Sequence, residues 1–374
     1  MTLLQFSILA LFTTPLFVAS YFEACFIENL VAEIDEVVLV TVILLLSFFS
    51  TFFLTKRWIR SAEDAKLLGK DMNKYEKPLV SRSGGIAVAL VICFSLLIYI
   101  FLKTFYWKTT THLVEAFAIS ATVLLAGFIG FTDDILGWKQ GLTQSQKFLL
   151  TIPIALPLMV INAGHSVMEL PLFGRIDFGL VYPLLVVPVG VIGATNGFNL
   201  LAGYNGLEAG MGFIIFTTFG ITGLIVEKYW ISLIALIVSA SLLAFLYFNW
   251  YPAKVFPGNS FTYSIGALIA TIAILGDMER LAVWLFLLYF VEGLLYFRAR
   301  VIDKAGDVQA FAKPNKDNSL EMPYKKIYDT THFAVWFLKK VKEKVYEKDI
   351  VRFLLFVQFL FALSGLVLLF IILS

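Results

Sequence analysis

The sequence predicts an all-α, polytopic transmembrane bundle of ten to eleven helices, with its polar loops gathered on the cytoplasmic face. Three observations carry that prediction. The first is composition: of 374 residues, 59% are hydrophobic and only 15% charged, with a mean hydropathy of +0.85. Soluble domains run nearer about 45–50% apolar and about 25% charged, so a soluble fold of this size has nowhere to hide so much apolar surface. Intrinsic disorder requires the opposite bias.

The second observation is a series of apolar runs of membrane-spanning length. They fall near 3–22, 36–55, 84–102, 113–131, 146–161, 181–198, 210–226, 230–249, 262–276, 281–298 and 351–373. Backbone in hydrocarbon must satisfy its own hydrogen bonds, so each run is read as a helix. The 146–161 and 262–276 runs are the shortest and carry Pro, Gly or polar residues. The run at 3–22 is an extra N-terminal helix. A cleaved signal peptide is the alternative, because Val18 and Ser20 suit a cleavage site, although Met1–Phe6 holds no basic residue. Residues 1–35 therefore form this addition and an acidic outer loop, and 36–374 the membrane-embedded domain, which includes a cytoplasmic segment at 299–350.

The third observation is charge. Assigning alternate gaps to alternate sides places 24 of the 29 basic residues on one side. Only Lys103, Lys108, Arg175, Lys228 and Arg280 fall on the other. The Lys- and Arg-rich side is cytoplasmic. One span too many or too few would scramble that asymmetry. The net charge of +2 thus reflects membrane sidedness, and nucleic acid is not an expected partner. Two cysteines and three dispersed histidines support neither a disulfide framework nor a zinc site.

The outer loops are short and hold no polar cluster; the cytoplasmic ones differ. After the fourth span comes Gly130-Phe-Thr-Asp133-Asp134, followed by Lys147. The next cytoplasmic loop reads Asn196-Gly-Phe-Asn199-Leu-Leu-Ala-Gly203-Tyr-Asn205-Gly206-Leu-Glu208. A third reads Asn249-Trp-Tyr-Pro252-Ala-Lys254-Val-Phe256-Pro-Gly258-Asn259. Adjacent carboxylates at a membrane helix end repel one another and resist desolvation. A Mg²⁺ ion, which prefers carboxylate, carbonyl and water oxygens, would offset both effects. A solvated helix terminus is the plainer reading of Asp133 and Asp134 taken alone. Asn199, Asn205 and Asn259 offer amide oxygens to a metal and donor–acceptor edges to a base or sugar, or serve simply as turn residues, since Asn205-Gly206 is a turn signal. Gly203 and Gly206 permit close backbone approach to a ligand. Phe256 is a stacking platform or ordinary packing. Lys147 is a phosphate ligand or a snorkelling anchor. Glu292, inside the tenth span, is an intramembrane acid and so a functional candidate by default. No GxxxxGK[ST], GxGxxG or GxSxG motif occurs, so any nucleotide site must be assembled from helix ends and short loops.

Together with Gly69-Lys-Asp-Met-Asn-Lys74, Phe248-Asn-Trp-Tyr-Pro252 and Val255-Phe256-Pro-Gly258, these loops resemble the polyprenyl-phosphate N-acetylhexosamine-1-phosphate transferase family. Within it they resemble the eukaryotic and archaeal branch that joins UDP-GlcNAc to dolichyl phosphate. The resemblance runs from about residue 37 to the C-terminus. It implies a reaction: the phosphate of a membrane polyprenol attacks the β-phosphorus of UDP-GlcNAc, UMP leaves, and polyprenyl-diphosphate-GlcNAc forms, the first lipid-linked step of N-glycan or surface-glycan assembly. It also implies Mg²⁺, with Mn²⁺ as a substitute, held by Asn199 and Asn259. Asp133, Asp134 and Lys147 become the catalytic set, with the carboxylates orienting or deprotonating the lipid phosphate. Met72, Asn73, Gly203, Asn205, Glu208 and Phe256 become substrate contacts, Phe256 by stacking on uracil. The membrane is that of the endoplasmic reticulum or the archaeal plasma membrane, and a homodimer is the candidate assembly.

Two departures stand out. Asn259 replaces the family's metal-binding Asp, removing one negative charge. The Arg/His sugar-binding motif of the last cytoplasmic loop is missing, and Lys313 and Lys316 are the candidates to replace it. Without the bacterial branch's histidines, a muramyl-pentapeptide substrate is disfavoured. The stretch from Lys325 to Asp349 mixes aromatics with many lysines, as a basic amphipathic segment on headgroups does; a solvated linker is the alternative. Two further readings of the whole chain stay open at this point. A transporter or flippase would suit the many spans, but internal repeats and midplane polar sites are lacking. An inactive homologue is suggested by Asn259.

Overall fold

The computed structural model describes residues 30–140, 144–170, 174–306 and 308–373. The expected span at 3–22 lies outside them. Among the described residues, seven helices are long and apolar enough to cross a bilayer, and a bent helix pair supplies an eighth span. The chain is an integral, polytopic all-α membrane protein, and every expected span from residue 36 onward is helical.

Helix α1 covers Leu30–Asp64; it outruns the expected 36–55 because nothing between Lys56 and Asp64 breaks it. A hairpin of β1 (Leu68–Lys70) and β2 (Leu79–Ser81) follows. Then come α2 (Gly85–Phe101) and α3 (Leu113–Gln140). The short 146–161 run is α4 (Gln144–Thr151), a 3₁₀ turn and α5 (Leu156–Val160). Pro153 and Pro157 remove backbone donors and interrupt the ladder there. After the hairpin β3 (Val167–Leu170) and β4 (Gly174–Asp177) come α6 (Val187–Leu200), α7 (Leu207–Ile225), α8 (Tyr229–Asn249) and α9 (Asn259–Leu275). The span at 281–298 is α10 (Glu279–Leu285) and α11 (Leu287–Phe297), bent by 57° at Phe286. Gln358 Nε2 donates to the Leu285 carbonyl at that break over 3.0 Å, so the interrupted backbone stays satisfied inside the protein. The segment between α11 and the last helix folds as a hairpin of β5 (Lys313–Pro314) and β6 (Leu320–Glu321) and then α12 (Thr330–Leu338). Helix α13 (Glu347–Leu373) closes the bundle.

The Asp133–Asp134 pair does not sit in a loop, as the apolar boundary at 131 suggested. Helix α3 runs on to Gln140, because the polar residues after Phe131 keep helical backbone and the single Gly137 does not stop it. Both carboxylates therefore project from a rigid element.

Helix α9 explains how that element is placed. It has only 17 residues, and Ser260 through Ile274 are all buried, so it is sheathed by protein and need not match the bilayer. It packs against α3 and α6. Small residues allow the approach: a Cβ at Gly130 of α3 would overlap the carbonyl of Asn259, and one at Gly85 of α2 would overlap the backbone of Phe261. The first turn of α9 is thus gripped from two sides by glycines whose missing side chains it fills.

That contact yields a prediction. Gly130→Ala should destabilise by about 1–3 kcal/mol, as overpacking does, read as a lower thermal unfolding midpoint in detergent. Gly193→Ala in α6, where a Cβ meets nothing within 4 Å, should leave the midpoint unchanged or raise it.

Candidate active site

Two polar clusters form where helix ends and short loops meet. The first lies at the start of α9. Asp134 accepts from the Asn259 backbone N–H at 2.9 Å, from the Ser260 N–H at 3.3 Å and from the Ser260 hydroxyl at 3.2 Å. It acts as a charged cap supplied from another helix: the first-turn N–H groups have no intrahelical partner, and α9 begins after Gly258, whose side chain is only a hydrogen. Asp133 faces the same turn and accepts from Asn259 Nδ2 at 2.6 Å. One turn further along α9, Thr262 donates its hydroxyl to Asn199 Oδ1 at 2.6 Å, and Asn199 lies in the last turn of α6. Asp133, Asp134, Asn199 and Asn259 therefore meet although three helices supply them.

The second cluster surrounds the loop between α6 and α7. Gly203 has φ +101° and Gly206 φ +87°, a region that disfavours any Cβ. Gly203 donates its N–H to Glu208 Oε1 at 2.9 Å and accepts at its carbonyl from Asn73 Nδ2 at 3.1 Å. Among the described residues, the buried Glu208 Oε2 and Asn73 Oδ1 have no hydrogen-bond partner, which leaves unmet polar capacity on either side of Gly203. Asn205 donates its backbone N–H to Glu347 at 2.8 Å and its side-chain amide to Asp71 at 3.0 Å. Lys74 donates to Asp71 at 2.9 Å and to Glu347, with its ammonium 4.3 Å from the centre of the Tyr251 ring. Burial pushes the Lys74 ammonium down, but the Glu347 and Asp71 carboxylates outweigh it and hold Lys74 above its ordinary range.

Phe256 connects the clusters. Its backbone N–H donates to Ser81 and its carbonyl accepts from Gly84, and its half-buried ring lies close to Gly69. It is thus held three residues before Asn259 and beside the loop that carries Met72 and Asn73. Met72 is half-buried and Asn73 fully so.

Not every expected residue joins these clusters. Lys147 is on α4, but its side chain is outside the described residues. Lys313 and Lys316 sit exposed on the β5–β6 hairpin. That hairpin docks on the second cluster because Asn318 accepts from the Tyr75 N–H at 2.9 Å, which leaves both lysines at the rim. Phe311, just before the hairpin, lies against Gly203. Glu292 is buried and accepts from the Thr330 N–H at 2.7 Å; it anchors α12 and stands apart from both clusters. His332, the histidine of this segment, is fully buried in α12, facing the Gln309 carbonyl at 3.1 Å. On α12 the residues Thr330, Thr331, His332, Ala334 and Val335 are buried, while Phe333, Trp336 and Phe337 are exposed.

Sequence reasoning missed Glu347 and Thr262 as members of the site and did not single out Asp71 and Lys74. The last two lay in plain view as charged residues flanking Met72 and Asn73. Thr262 is one helical turn from Asn259, a spacing that places them on the same face. Glu347 has no local signal at all, standing among lysines at the start of an apolar helix.

The donor set suits a hard cation. One carboxylate and two amide groups converge at the start of α9, all oxygen ligands, a number too small to enclose an ion alone and suited to one that shares its coordination with phosphate, as Mg²⁺ does. No group of three or more His, Cys, Asp or Glu residues forms a metal cage among the described residues. The arrangement is a polar site assembled from helix ends inside a membrane-embedded bundle.

Comparison with known proteins names the kind. Residues 116–277 match the family model described as Glycosyl transferase family 4. A Saccharolobus solfataricus protein provisionally named UDP-N-acetylglucosamine–dolichyl-phosphate N-acetylglucosaminephosphotransferase is 36% identical over 284 residues, covering 73% of this chain and 84% of the relative. The Dictyostelium discoideum protein of that name is 29% identical over 291 residues, 67% of this chain and 69% of its own length. A phospho-N-acetylmuramoyl-pentapeptide-transferase from Halalkalibacterium halodurans is 30% identical over 270 residues, 70% of this chain and 82% of its own length. The chain belongs to the polyprenyl-phosphate N-acetylhexosamine-1-phosphate transferase family and is an enzyme.

The two aspartates carry different structural duties, which gives a second prediction. Asp134→Ala strips three donors on α9 of their acceptor and should cost about 1–3 kcal/mol, seen as a lower unfolding midpoint. Asp133→Ala, which removes the acceptor of the Asn259 side-chain amide and leaves the bonds from Asp134 to the first turn of α9 in place, should lower it less.

Proposed function

We propose that the enzyme transfers N-acetylglucosamine 1-phosphate from UDP-GlcNAc to a polyprenyl phosphate of the dolichyl type, releasing UMP. The observation that carries the reading is the meeting of Asp133, Asn199 and Asn259 at the first turn of α9, beside a glycine loop whose Asn73 and Glu208 hold unused acceptors. The names of the archaeal and slime-mould relatives support the same substrates. A lipid phosphate oxygen forms a bond to the β-phosphorus of UDP-GlcNAc. The bond from that phosphorus to the bridging oxygen breaks, and UMP carries the oxygen away.

Each residue has a task in this step. Mg²⁺, when bound, neutralises diphosphate charge and polarises the phosphorus as a Lewis acid; Asp133, Asn199 and Asn259 would hold it. Asp134 keeps the first turn of α9 in place. Asp133 orients the lipid phosphate and accepts its proton where it arrives protonated. Gly203, Asn205, Asn73, Met72 and Glu208 receive the nucleoside, Phe256 stacks on its base, and Lys147 with the rim lysines Lys313 and Lys316 adds positive potential for the phosphates and sugar. Phosphoryl transfer depends mainly on such positioning and charge neutralisation. We place this site on the cytoplasmic face, from the asymmetry of basic residues.

Asn259 gives the chain its own character. Where a second carboxylate beside Asp133 would repel it until a cation arrived, the amide donates a hydrogen bond at 2.6 Å. Asp133 thus already has a donor in Asn259, and a cation that displaces it gains less.

The direct test incubates purified protein with radiolabelled UDP-GlcNAc, dolichyl phosphate and Mg²⁺. Lipid-extractable label is expected; its absence, with a working relative beside it, overturns the reading. Asp133→Asn should lower kcat by orders of magnitude with the protein still folded. Asn259→Asp should shift the Mg²⁺ titration to lower concentration, and an unchanged titration would place the cation elsewhere. For sidedness, a cysteine replacing the exposed Lys316, in a background lacking Cys25 and Cys93, should react with an impermeant thiol reagent only from the cytoplasmic side.

A further inference from the structure

Asn205 is held more tightly than a loop residue between two membrane helices needs to be. Both of its donors are used, and both end on buried carboxylates from distant parts of the chain: the backbone N–H on Glu347 and the side-chain amide on Asp71. Asp71 is 4% exposed, Glu347 1% and Lys74 8%, so three charged groups share one buried pocket with a single ammonium between two carboxylates. A buried ion cluster of this kind is weak evidence for stability, and its purpose is better sought in what it orients.

We propose that Lys74, Asp71 and Glu347 form a clamp that sets the amide of Asn205 for the nucleoside, with Glu347 a positioning residue outside every motif of the family resemblance. The proposal rests on the reading of Asn205 as a nucleoside contact. Asp71 accepts from both Lys74 and the Asn205 amide, so the Asn205 side chain turns its Nδ2 inward. The Oδ1 is then the edge presented outward, an acceptor suited to an N–H or O–H donor such as the imide of uracil or a ribose hydroxyl. Lys74 donates to the same carboxylate oxygen at 2.9 Å, which fixes Asp71 against Asn205 and so fixes which end of the amide faces it. Glu347 fixes the other end by gripping the backbone N–H, and its second oxygen completes the cage around Lys74. Because Glu347 opens α13, the orientation of a nucleoside contact at residue 205 depends on where the last membrane helix begins.

The test uses the full-length protein in detergent, with UMP binding measured by calorimetry, steady-state kinetics with UDP-GlcNAc, and thermal midpoints alongside. Glu347→Gln, which keeps the shape and removes the charge, should weaken UMP binding by about tenfold or more and raise the KM for UDP-GlcNAc in parallel. Its kcat at saturation should stay within about threefold. Asp71→Asn leaves the Lys74–Glu347 pair intact, so the fold is preserved, yet it offers Asn205 a donor as well as an acceptor; it should weaken UMP comparably. Lys74→Arg, which retains the charge, should retain most of the affinity. Lower thermal midpoints with unchanged UMP affinity in Glu347→Gln and Asp71→Asn would make the cluster purely structural and overturn the clamp. Wild-type protein that fails to bind UMP would overturn the functional reading, and the clamp with it.

Discussion

One buried ammonium ties the polar loops of one end of the bundle together. Lys74 is bonded to Asp71 and Glu347 and lies over Tyr251, and the segment around it reaches the α6–α7 loop and the β5–β6 hairpin. Asn73 holds Gly203, Asp71 holds Asn205, and Tyr75 holds the hairpin of the last segment through Asn318. Membrane helices are stiff, but their ends are free to splay, and a bilayer offers no hydrophobic pressure to hold helix ends in register. A charge that must be compensated, buried where water cannot do so, supplies the missing constraint. Removing a partner from such a group leaves an unpaired buried charge, a far larger penalty than the loss of an ordinary hydrogen bond.

The half of the site around Asp133 and Asp134 is built on a different principle, close packing around α9. Glycines at 85 and 130 admit the first turn of that helix, and Asp134 caps it from α3. The cap places a carboxylate at the positive end of a helix, where it is favoured. It also leaves the neighbouring Asp133 turned toward Asn259 and the same region as Asn199. Two adjacent aspartates, equal in sequence, meet different donors on α9, the backbone for Asp134 and the Asn259 side chain for Asp133, because successive residues on a helix point about 100° apart.

The amide at 259 shows how one substitution alters a site without dismantling it. It retains an oxygen for a cation and adds a donor for Asp133. The cluster therefore stands without the positive charge that a pair of facing carboxylates would demand.

What the sequence determined by itself was everything that depends on local pattern. Apolar length specified the spans from residue 36 onward, since a segment of that composition has no other stable environment. Lys and Arg distribution specified an orientation, and the Asn-Gly-rich loop carried the family. Even the weakest spans were legible as weak: Pro153 and Pro157 break one, and protein sheathing allows α9 to be short. Tertiary structure alone decided which residues meet. Nothing near Glu347 marks it as a partner of Asn205, 142 positions away in the chain, and nothing near Thr262 announces Asn199. Nor does the sequence divide the duties of Asp133 and Asp134, or show that Glu292 anchors α12 and not the chemistry. Such pairings are set by where helices cross and end. Those crossings follow from the summed packing of the bundle, which no short window of sequence contains.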